Sequence, residues 1–153
     1  MSTNLGASQT KDFDFDIEAS NKNLSYYSTT SYEQAIYYTL NKNNQNLEKL
    51  LRLGVDVNTK NNFDKTPLMT AAHLNNYFAV KKLLEAGARV NDETVPDRKN
   101  RRSGIRHVKR TALMYAAENA SLKMIKLLIE TGADKKAQDS QGRSAFEYLE
   151  FSF

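Results

Sequence analysis

Apolar positions in this chain recur as a block. A leucine pair precedes a glycine three times: Leu50-Leu51 before Gly54, Leu83-Leu84 before Gly87, and Leu127-Leu128 before Gly132. Arg52-Leu53-Gly54-Val55-Asp56-Val57-Asn58 aligns with Glu85-Ala86-Gly87-Ala88-Arg89-Val90-Asn91, and Glu130-Thr131-Gly132-Ala133-Asp134 gives a third copy. An apolar face at helical spacing that runs into glycine predicts a helix closed by a left-handed C-terminal cap. Leu83 and Leu127 are expected to be buried between helices. The preceding block recurs as well. Thr66-Pro67-Leu68-Met69-Thr70-Ala71-Ala72 lines up with Thr111-Ala112-Leu113-Met114-Tyr115-Ala116-Ala117, and more loosely with Ser144-Ala145-Phe146-Glu147-Tyr148. Thr66 and Thr111 are suited to cap a first helix through the hydroxyl, and Pro67 fits the first turn, where no N–H is needed. The alanine pairs let helices approach closely. Asp139 to Ser144 reads as the turn before the last helix.

Gly54 and Gly87 are 33 residues apart, whereas Gly87 and Gly132 are 45 apart, the same period with 12 residues inserted. Ser31-Tyr32-Glu33-Gln34-Ala35-Ile36 keeps a capping residue and helical spacing but not the Thr-Pro-Leu core, which suits an end unit. The expected organisation is a tail over 1–30, units over 31–62, 63–109 and 110–138, an insertion at 92–110, and a terminal helix over 139–153. Over roughly residues 31 to 150 this pattern resembles the ankyrin-repeat family, whose first helix opens with a TPLHxAA signature. The resemblance implies an all-α repeat solenoid of three to four helix-turn-helix units, with hairpin fingers beside a concave face. It also implies a scaffold that binds another protein. Met69 and Met114 stand where the family has histidine, which removes that side chain's hydrogen bond to a neighbouring turn.

Charge changes the picture locally. The net charge is +4, a mild excess that permits an acidic partner without demanding nucleic acid. The insertion gathers Arg98, Lys99, Arg101, Arg102, Arg106, Lys109 and Arg110, with His107 among them, against Asp92, Glu93 and Asp97. Ser103-Gly104 offers a turn between two short antiparallel arms. Such a finger reads either as an arginine-rich contact for carboxylates or phosphates, or as a solvated loop. In the tail, Asp12, Asp14, Asp16 and Glu18 alternate with Phe13, Phe15 and Ile17, a period of two that suits an extended strand. That strand is either a free tail or docked, with the basic insertion as one acceptor.

Tyr37, Tyr115 and Tyr148 occupy the same place in three first helices, with Thr70 in the fourth. The tyrosine ladder reads as contact area for a partner or as packing between helices. Asn75 and Asn76 join the candidate partner-binding set, beside the basic residues and the tyrosines.

Catalytic chemistry is poorly represented. The chain has no cysteine, which excludes disulfides and thiolate sites, and its two histidines, His73 and His107, lack neighbours at metal-ligand spacing. His73 falls at the end of a first helix, where a surface position is expected. With no phosphate-binding glycine loop and no nucleophile with its base, the expectation is a non-enzymatic protein without cofactor or metal. No stretch approaches the roughly 18 apolar residues that span a bilayer. The expected location is cytoplasmic, or periplasmic or secreted if a leader has been removed. The expected partner is a protein with an acidic patch rather than nucleic acid, and the expected state is a monomer or a heterodimer. By size and architecture the chain resembles bacterial proteins that regulate or neutralise a neighbouring effector, an immunity-type role. The alternatives are an anion or nucleic-acid binder acting through the insertion, and a host-directed effector.

Overall fold

The computed structural model describes residues 36–37, 39–40, 44–61, 64–95, 109–119 and 121–151. The N-terminal tail and the insertion tip, with Arg98, Lys99, Arg101, Arg102, Arg106 and His107, lie outside the described residues. Among the described residues six helices carry the fold and no strand occurs: α1 (Asn44–Arg52), α2 (Pro67–His73), α3 (Tyr77–Glu85), α4 (Ala112–Glu118), α5 (Leu122–Glu130) and α6 (Ala145–Phe151). Residues 36, 37, 39 and 40 are helical and precede α1.

The helices form two layers. α2, α4 and α6 pack in series as first helices; α3 lies on α2, α5 on α4, and α1 on α3. Close stacking of the first layer rests on Ala71, Ala72, Ala116 and Ala117, each at most 1% exposed, whose small side chains let the backbones approach. Between the layers, Leu50, Leu83 and Leu128 are fully buried, each four residues before its glycine. Leu127 therefore falls in the register of Lys82 rather than Leu83, and it is only partly buried. The expectation that Leu127 is a core residue is corrected by this one-position offset. Gly54, Gly87 and Gly132 end the second helices at φ of 77°, 94° and 101°, the left-handed cap that an L side chain resists.

Helix starts differ in quality. Thr66 caps α2: its hydroxyl accepts from Met69 N at 3.2 Å, and Thr66 N donates back to Met69 Sδ at 3.5 Å. Met69 thus supplies the returning half of a capping box through a weak sulfur acceptor. Thr111 holds the equivalent place before α4 but makes no side-chain cap, and its buried hydroxyl has no hydrogen-bond partner among the described residues. Capping through the hydroxyl holds for Thr66 and not for Thr111.

Candidate functional site

The turn before each first helix is built the same way three times. Asn61 N donates to Lys65 O, Thr94 N to Arg110 O and Asp139 N to Arg143 O, at 2.9, 3.0 and 2.9 Å. In return, Asp64 N donates to Asn61 O, Lys109 N to Thr94 O and Gly142 N to Asp139 O. A side-chain oxygen of Asn61, Thr94 or Asp139 accepts from the N–H of Lys65, Arg110 or Arg143, at 3.0, 3.0 and 2.9 Å. Even the strained position recurs, with Asp64, Lys109 and Gly142 at φ of 60°, 62° and 79°.

The paired residues are four positions apart in the first and last turns and sixteen apart in the middle one. The twelve extra residues are therefore inserted at the tip, between Thr94 and Lys109, on an unchanged base. Residues 92 to 94 belong to the array rather than to the insertion. Asp92 accepts from Arg89 Nε at 3.0 Å, the Glu93 carbonyl accepts from Lys60 Nζ at 2.9 Å, and Thr94 is buried. Val95 N donates to the Asp64 carboxylate, joining the two neighbouring fingers.

Lys65, Arg110 and Arg143 share one repeat position, and they interleave with the tyrosines of the following first helices. The order is Lys65, Tyr115, Arg110, Tyr148, Arg143, with cation-to-ring distances of 4.6, 4.1, 4.6 and 4.8 Å. This is a cation–π ladder across the finger bases. Arg110 also pairs with Glu118 at 2.6 Å, and its side chain is 10% exposed. By sequence it stands among the cations of the insertion, but it is a buried strut between two rings. Its Nε has no hydrogen-bond partner among the described residues.

The ladder settles where the tyrosines point. Tyr115 and Tyr148 are 4% and 7% exposed, so burial removes the contact area that a partner-facing role requires. The Tyr37 hydroxyl lies 2.7 and 2.6 Å from the carbonyls of Thr59 and Lys65, tying the first unit to the second. Burial raises the Tyr37 and Tyr115 hydroxyls above the ordinary phenol range. At the last turn Tyr148 is pushed up to about 12 by burial, and then by the hydrogen bond it donates to Asp139.

Asparagines supply further bonds between repeats. Asn58 donates to Gly87 O at 3.3 Å and accepts from Arg89 N at 2.8 Å; Asn91, one period later, donates to Gly132 O at 3.0 Å and accepts from Asp134 N at 2.8 Å. Their signal was available, since both close the aligned glycine block. Asn76 caps α3 by accepting from Ala79 N, and it donates to Leu40 O at 2.6 Å. Asn119 likewise reaches Ala72 O and His73 O of the preceding unit. Asn76 is therefore committed to the array, which takes it out of the free contact surface. Asn75 is exposed at φ 55° in the turn between α2 and α3, and Lys109 is exposed at the foot of the enlarged finger.

No helix among the described residues is long and apolar enough to cross a membrane. A family model described as ankyrin repeats, three copies, matches residues 33–139. The search of curated proteins gives no match.

Proposed function

The chain belongs to the ankyrin-repeat family, and from that premise we propose that it binds one partner protein through its fingers and first-helix face, with the enlarged finger conferring specificity. Repeats of this family generally mediate protein–protein interaction, and the family is a binding scaffold that is not typically enzymatic. One observation carries the more specific reading. Twelve residues are added at a finger tip whose base keeps the hydrogen bonds and left-handed residue of its two neighbours. The base fixes where the inserted segment leaves and rejoins the array, and long loops in compact domains are often functional.

Between the two feet of the finger, Arg98, Lys99, Arg101, Arg102 and Arg106 outweigh Asp97, which supports a partner with an acidic patch. Regulation or neutralisation of that partner, as in an immunity-type pair, is the role we attach to the contact. Affinity capture from the source cell tests it, comparing the full chain with a variant lacking residues 96–107. That variant leaves two residues between Val95's neighbour Thr94 and Lys109, as in the plain turns. The expected result is loss of the captured protein. Capture that survives the deletion moves the contact to the helices. Recovery of nucleic acid instead, falling steeply with added salt, favours the anion-binding alternative.

A further inference from the structure

Among the described residues, Lys65 is the one of the three stacked basic residues that meets a histidine. Its Nζ lies 3.2 Å from His73 Nδ1. A Lys65 ammonium has protons to donate and no lone pair, so it can donate only to an Nδ1 without a proton, which is the neutral imidazole with its proton on Nε2. That second nitrogen lies 3.9 Å from Glu118 Oε2 on α4, and the His73 and Tyr115 ring centres are 5.3 Å apart. His73 thus joins the finger base of one unit to the first helix of the next. Among the described residues, the charged groups facing it are Lys65 from its own unit, and Arg110 and Glu118 from the neighbouring unit. Arg110 is paired with Glu118 and stacked on Tyr115. Asp64, paired with Lys60 at 3.4 Å, acts on the same Tyr115.

We propose that His73 is a protonation switch on the first-helix face: neutral, it anchors the Lys65 ammonium over Tyr115; protonated, it turns Lys65 outward and leaves two cations for a partner's carboxylates. The part that concerns the partner rests on the binding role proposed above; the switch itself does not. A protonated Nδ1 cannot accept from Lys65, and the two like charges at this distance repel. Glu118 then holds the imidazolium in place, so the lysine is the group that moves. Burial, and then the Lys65 charge, lower the His73 pKa below the ordinary imidazole value of 6.5, with Glu118 opposing. The change therefore falls on the acidic side of neutrality. Attraction for an acidic surface strengthens as pH falls through it.

The test uses the full chain, ¹⁵N- and ¹³C-labelled, titrated by NMR from about pH 8 to about pH 5, the range in which histidine changes charge. His107→Gln removes the other histidine signal. The expected spectrum at high pH is the neutral Nε2–H tautomer for His73, and the Lys65 Cε shift should move with the His73 midpoint. Lys65→Met should raise that midpoint by removing the adjacent cation, while Glu118→Gln should lower it by removing the anion. An Nδ1–H tautomer, or a Lys65 signal indifferent to His73 protonation, overturns the proposal. So does a midpoint that neither variant moves, and the opposite signs expected of the two guard against a general loss of structure. Because the measurement needs no partner, its failure leaves the capture experiment standing, and the reverse also holds.

Discussion

At Asp139 a fully buried carboxylate accepts from the Tyr148 hydroxyl at 2.5 Å, from Arg143 Nε and Nη2 at 3.2 and 3.1 Å, and from the N–H groups of Gln141 and Arg143 at 2.8 and 2.9 Å. Burial alone would raise its pKa. The hydrogen bonds outweigh burial and bring it down to about 2 from an ordinary 3.8. A depressed carboxylate contributes stability above its unfolded pKa and loses it as pH falls through the folded one. Urea unfolding of the intact chain should therefore weaken between about pH 4 and about pH 2, by on the order of 1–2 kcal/mol from this group. Asp139→Asn should remove that part of the slope. Tyr148 sets the opposite edge: its raised phenol keeps its proton in the fold, so stability from it is complete below about pH 10 and declines toward pH 12. An Asp139→Asn profile as steep as the wild type between pH 4 and 2 would show that other carboxylates dominate. The turn chemistry of Asp139 was legible in sequence, but its charge partners were not, because Tyr148 reaches it only after α6 has docked.

Within the elements, position relative to the cap decides what a side chain does. Leu128 lies four residues before Gly132, like Leu83 before Gly87, and both are fully buried. Leu127, next to it, takes the position of Lys82 and keeps partial exposure. Leu128→Ala and Leu83→Ala should each cost about 2–5 kcal/mol, as expected for buried leucines, and Leu127→Ala clearly less. Chemical denaturation of the three variants measures the difference. Equal losses at Leu127 and Leu128 would contradict the register described here. The helical repeat was readable from the leucines and glycines. A pair of adjacent leucines does not say which of them faces inward, since that depends on how the second helix rolls onto the first.

For the whole molecule, the array is held together by links between its described units. The described links between units include Asn58, Asn91, Asn76, Asn119, Tyr37 and the cation–π ladder, together with the bonds from Lys60 to Glu93 O and from Val95 N to Asp64. Lengthening a loop from four to sixteen positions costs about 1 kcal/mol of closure entropy. Removing residues 96–107 should thus leave the unfolding free energy unchanged or raise it by about 1 kcal/mol. A loss of several kcal/mol would mean that the finger packs on the array and is part of its fold.

The sequence by itself determined the period, the helix-ending glycines, the Thr66 cap with Pro67 behind it, and the addition of twelve residues between Gly87 and Gly132, though not their exact place. These depend on interactions within about one helical turn or one tight turn, so residue type and spacing record them directly. Tertiary structure alone decided that Arg110 is a strut, that Tyr115 and Tyr148 face inward, that Asn76 is spoken for, and that His73 meets Lys65 and Glu118. Each of those depends on a neighbouring unit or helix end brought close by stacking; Asn58 to Gly87 and Asn119 to Ala72 span 29 and 47 positions. Polar side chains of one type can face solvent or a buried partner, and only the stacking of one repeat on the next, which sets distance and dielectric together, selects between them.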